Sequence, residues 1–78
     1  MVRLRLTPLG VTLIGEQPMH ASQEIAVSPD GGGELRMRVP ITPEVERLVL
    51  SWGAEVRVIE PATLGDRIRE TARKVAMR

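Results

Sequence analysis

The sequence predicts an α+β fold, an antiparallel four-stranded sheet carrying two helices on one face with a further helix added at the C-terminus. Three observations carry that expectation. Apolar and charged residues alternate with period two in four short segments, apolar stripes recur with helical spacing in others, and Pro, Gly and Asp punctuate the boundaries between them. At 78 residues and 8.6 kDa the chain is one small domain, and a chain of that size buries only ~60–65% of its unfolded surface.

The first strand is residues 2–6, where Val2, Leu4 and Leu6 alternate with Arg3 and Arg5 in the pattern of a strand covered on one face. Thr7 and Pro8 then supply an N-cap and a first helical residue for a short helix ending near Gly15, lined by Leu9, Val11, Leu13 and Ile14. Glu16 to Ser22 reads as a loop around Pro18 and His20. Residues 23–28 form a second strand with Gln23, Ile25 and Val27 on one side and Glu24 and Ala26 on the other. The tip Pro29-Asp30-Gly31-Gly32-Gly33 reverses the chain, since glycine adopts positive φ without steric cost. Leu35, Met37, Val39 and Ile41 alternate with Glu34, Arg36 and Arg38 on the return strand, completing a hairpin.

Thr42-Pro43-Glu44 opens a helix over 43–52 whose stripe is Val45, Leu48, Val49 and Trp52, with Gly53 suited to the left-handed position beyond it. A last strand over 55–59 puts Val56 and Val58 on one face and Glu55, Arg57 and Ile59 on the other, and Pro61 ends it. From Ala62 to Met77 the stripe Leu64, Ile68, Ala72 and Val75 marks an amphipathic helix with its acids early and its bases late. The order strand, helix, strand, strand, helix, strand is the ferredoxin-like βαββαβ arrangement, here with an added C-terminal helix. Its first and third strands are central, and its fourth borders the first.

Composition excludes several functions. There is no Cys, so no disulfide framework, thiolate zinc site or thiol nucleophile is available. Trp52 is the only aromatic residue, which excludes a sheet that stacks RNA bases and disfavours a stacking channel for single strands. A net charge of +1 steers nothing strongly toward nucleic acid or membrane. No apolar run approaches the ~20 residues of a membrane helix, so a cytoplasmic setting without membrane association is the expectation.

The second half carries a family likeness. The hairpin tip Asp30-Gly31-Gly32, the strand Leu35-Arg36-Met37-Arg38-Val39, the run Glu46-Arg47-Leu48-Val49-Leu50-Ser51-Trp52-Gly53, and Val56-Arg57-Val58-Ile59-Glu60-Pro61 with Leu64 resemble the C-terminal extension, or WCX, domain of WYL-type bacterial transcriptional regulators. His20-Ala21-Ser22-Gln23-Glu24-Ile25 resembles the segment leading into that family's hairpin, so the likeness covers essentially the whole chain. Met19 stands where an aromatic is common in relatives, and residues from Lys74 to Arg78 lack the usual aromatic end. The resemblance implies one domain, 1–78, excised from a longer regulator in which a winged helix-turn-helix and a WYL domain precede it. It further implies a homodimer, contacts with those two domains, and signalling that involves a nucleotide or nucleic-acid effector. No cofactor and no metal are implied.

The residue pattern with most physical content is an arginine face. Arg3, Arg5, Arg36, Arg38 and Arg57 fall on three adjacent strands and point away from the helices. Clustered guanidiniums repel one another unless something anionic meets them, and their forks pair with carboxylate or phosphate. These five are the candidate binding residues, for an acidic protein surface first and for a nucleotide or single-stranded nucleic acid second. The bland alternative is that the stems merely cover the sheet, with Glu24, Glu34 and Glu55 as partners.

Catalysis is weakly supported. His20, Ser22 and Asp30 or Asp66 have no nucleophile-elbow setting, the glycine run lacks the features of a phosphate loop, and Asp66 and Glu70 sit among Arg67, Arg69, Arg73 and Lys74 as a solvated ion-pair face. An acylphosphatase-like hydrolase on this fold would need an Asn, and the chain has none. The expectation is a non-enzymatic regulatory and dimerisation domain.

Overall fold

Strand β1 (Val2–Leu6) lies at the centre of the sheet because both of its edges are taken: β3 (Gly33–Met37) pairs with one and β4 (Val56–Glu60) with the other, each antiparallel. The hairpin partner β2 (Glu24–Val27) extends the far side, giving the order β2-β3-β1-β4. This is the predicted ferredoxin-like arrangement in an α+β fold, seen in a computed structural model that describes residues 1–16 and 22–77.

The alternation in β1 sends Val2, Leu4 and Leu6 into a core where they meet Leu35 and Met37 of β3. Each of the three helices closes that core with one buried aliphatic residue: Ile14 from α1 (Pro8–Glu16), Val49 from α2 (Pro43–Ser51) and Leu64 from α3 (Ala62–Ala76). Their shared cluster puts all three helices on one face and leaves the other face of the sheet open. Replacing a buried leucine such as Leu4 by alanine in such a core typically costs ~2–5 kcal/mol.

The helix starts follow the capping chemistry. Thr7 Oγ1 accepts from Gly10 N at 3.1 Å, and Thr42 Oγ1 accepts from Val45 N at 3.3 Å, each followed by proline at the first helical position. At the hairpin tip Gly31 has φ of +90°, Ser28 N donates to Gly32 O at 2.7 Å, and Asp30 Oδ1 accepts from Gly32 N at 2.9 Å.

Several expectations are corrected. Leu9 and Leu13 point outward on α1. The buried side is Gly10, half-buried Val11 and Ile14, because a Cβ on Gly10 would lie 2.7 Å from Glu55 O. Val27 is 64% exposed on the edge strand β2. The return strand stops at Met37, so Arg38, Val39 and Ile41 lie beyond it; the Arg38 amide donates to Ser22 Oγ at 3.0 Å, and Pro40 has no N–H with which to extend the ladder. Glu55 is in a 3-10 turn (Gly53–Glu55) ahead of β4, with its carbonyl accepting from Thr7 N at 3.0 Å and its carboxylate from Thr7 Oγ1 at 2.6 Å. It therefore locks α1 to the sheet and cannot serve the arginines. Trp52 is the C-cap of α2 and is half-buried against the core rather than inside it. The loop read around Pro18 and His20 falls mostly on 17–21, outside the described residues.

Candidate arginine-lined face

The strand register sets the charges of the open face in rows. Glu24, Arg36, Arg3 and Glu60 face one another across the four strands, and the next row is Ala26, Glu34, Arg5 and Arg57. Arg38 follows one residue past β3, lining with Arg36, Glu24, Ser22, Met37 and Met1 a shallow recess of about 130 Å³. Four of the five predicted arginines thus share the sheet face, and the fifth borders it.

They differ in what they already hold. Arg3 forks onto Glu34, with Nε 2.9 Å from Oε2 and Nη2 2.8 Å from Oε1, and reaches Glu60 Oε1 from Nη1 at 3.3 Å. Arg36 Nε donates to the same Glu34 Oε2 at 2.7 Å. Hydrogen bonds first from Arg3 and then from Arg36 hold the Glu34 carboxyl at about 2, well below its ordinary 4.5, while the bonds to Glu34 and then Glu60 raise Arg3 above the usual guanidinium value. Arg5 has only a 3.9 Å contact with exposed Asp30. Arg38 and Arg57 make no ion pair among the described residues.

Glu60 reaches this face through an irregularity that the sequence does not announce. The β1–β4 register passes from Leu4 opposite Val58 to Arg3 opposite Glu60, so Ile59 is the extra residue of a bulge. Strict alternation would have turned Ile59 toward Arg3. The bulge turns Glu60 there instead. Of the acids expected to serve the arginines, Glu34 does so and Glu24 faces Arg36 in register, whereas Glu55 is replaced by Glu60 and Asp30.

The residues of the conceivable hydrolytic set are scattered among other tasks. Ser22 binds the Arg38 backbone, Asp30 caps the hairpin tip, Asp66 pairs with Arg69 on α3, and His20 lies outside the described residues. Glu70 pairs with Arg73 at 2.6 Å on the same solvated helix face. Guanidiniums stay protonated and cannot shuttle protons, so the arginine face offers hydrogen-bond donors and fixed charge, the chemistry of binding. No group of His, Cys, Asp and Glu among the described residues is arranged to hold a metal ion.

The backbone features behind the sequence likeness are present: Gly53 takes φ of +59° directly after Trp52, and Leu64 is buried three residues after Pro61. The chain matches the WCX domain family over residues 1–76. It belongs to that family. This WCX domain is also 32% identical over 69 residues to Protein PafC from two strains of Mycobacterium tuberculosis, CDC 1551 / Oshkosh and ATCC 25618 / H37Rv. The alignment covers 88% of this chain and 21% of PafC, so the WCX domain spans about a fifth of the length of these relatives.

Proposed function

We propose that this WCX domain is a non-enzymatic regulatory and dimerisation module of a WYL-type helix-turn-helix transcriptional regulator. It works in the cytoplasm and docks through its open arginine-lined face on an acidic surface of the WYL domain or of the second subunit. The observation that carries this reading is the family match over residues 1–76. Supporting it, the PafC relatives are several times longer than the matched segment, and no helix among the described residues is long and apolar enough to cross a membrane. The domain corresponds, in this reading, to one unit of a longer regulator.

A second reading, capture of a nucleotide or a single-stranded nucleic acid, draws on Arg38 and Arg57, which have no acid partner among the described residues. Salt separates the two. Binding of a short DNA oligomer should weaken linearly in log affinity against log salt, with a slope of about −0.7 per phosphate contacted on a single strand. Docking of the WYL domain should show a shallower dependence. The domain is expected to bind the WYL domain more tightly than the oligomer at physiological salt, measured by fluorescence anisotropy. Tight oligomer binding with a steep slope would exchange the two readings.

A further inference from the structure

The two charge rows of the open face are not balanced alike. The row Glu24, Arg36, Arg3, Glu60 carries two acids and two bases. Glu34, the only acid of the next row, is spent on the first, because both of its oxygens accept from Arg3 and Arg36. Arg5 and Arg57 are left directly opposite each other on β1 and β4. At that position antiparallel strands hold two Cβ atoms ~4.5–5.5 Å apart, and like charges so placed are destabilising. Among the described residues their one ion-pair contact is with Asp30, exposed and 3.9 Å from Arg5.

We propose that Arg5 and Arg57 form a clamp for a single side-chain carboxylate presented by a protein partner. This deepens, and rests on, the reading of the open face as a docking surface. Two adjacent guanidinium forks can each give two parallel N–H donors to one carboxylate. The surroundings select a protein over a polyanion. Glu60 and Glu34 flank the pair, so a nucleic-acid strand laid along the face would bring further phosphates against carboxylates. A protein surface can offer one acid alone, with a base beside it to meet Glu60.

The test follows the arginine Nε–Hε signals of the 78-residue domain by NMR at constant ionic strength. Three probes are used: a capped Lys-Gly-Glu-Gly-Lys peptide, inorganic phosphate and a single-stranded oligothymidylate. The peptide should move Arg5 and Arg57 together on one saturation curve. Its glutamine counterpart should move neither, and Arg57→Gln should weaken the peptide roughly three- to fivefold. In the free domain Arg57→Glu should raise the melting temperature by about 1–4 °C by relieving the like-charge pair. A lowered melting temperature would make Arg57 a structural residue and overturn the clamp. So would peptide-induced shifts of Arg5 and Arg57 no larger than that of exposed Arg47. Shifts confined to Arg36 and Arg38 would overturn the clamp while leaving the face as a binding surface, and silence from all five arginines toward every probe would remove both. An oligomer that binds tenfold or more tightly than phosphate and moves all five would replace the protein partner with nucleic acid.

Discussion

Glu34 is the residue on which the open face depends. Its carboxylate holds Arg3 and Arg36 at 2.7–2.9 Å, and without it two guanidiniums in register opposite each other would have no shared counter-ion. The sign of its pH dependence follows from the shift. A carboxyl held at about 2 when folded and 4.5 otherwise contributes stability that is fully present above the higher value and is lost as pH falls toward the lower one. Melting curves taken between pH 7 and pH 2, an interval chosen to span both values, should therefore show a drop in melting temperature across the acid limb. Glu34→Gln should start lower at neutral pH, fall less, and meet the wild type near the acid end. Parallel curves for the two proteins would mean that the ion-pair network contributes nothing.

Helix α3 leaves the second half of its apolar stripe bare. In α3 Leu64 is buried and Ile68 half-buried, yet Val75 is 58% and Met77 just beyond it 74% exposed. The helix packs on β4 and α2 through its first half, and its last turns carry apolar residues for which the sheet provides no cover. These turns are the proposed site of self-association, since a thin single core gains most from additional buried area. Val75→Asp should leave the melting temperature nearly unchanged, within ~0.5 kcal/mol of stability, while shifting light scattering at micromolar to hundred-micromolar concentration from dimer to monomer. A wild-type domain that is monomeric throughout that range would contradict self-association through these turns. The same stripe shows what the sequence could tell. Leu64, Ile68, Ala72 and Val75 correctly mark the helix, because periodicity reports the local conformation, but not how far the neighbouring sheet extends beneath it. Leu9 and Leu13 on α1 depart from the pattern for a related reason: close approach of Glu55 O selects glycine at position 10 as the inward residue, and no hydrophobicity pattern contains that contact.

At the scale of the whole molecule, alternation in β1 and β3 was enough to foresee the open face, because period two fixes which side chains share a surface once the strand order is known. The sequence did not reveal which arginines that face keeps for itself. That depends on the register opposing Arg5 to Arg57 and on the bulge at Ile59 that delivers Glu60 to Arg3, both products of pairing between segments more than fifty positions apart. The charges of the open face thus separate into a self-paired cluster, Arg3, Arg36, Glu34 and Glu60, and a set of arginines, Arg5, Arg38 and Arg57, that make one long ion pair or none among the described residues. The most direct test of the proposed docking is the calorimetric affinity of this domain for the WYL domain of the longer regulator proposed for it, comparing two triple charge reversals. One replaces Arg5, Arg38 and Arg57 by Glu on the sheet side, and the other replaces Arg47, Arg69 and Arg73 by Glu on the helices, so the change in net charge is identical. Docking through the sheet predicts that the first variant, still folded, loses roughly tenfold or more in affinity while the second changes little. Equal losses in both, or an undiminished affinity in the first, would contradict it.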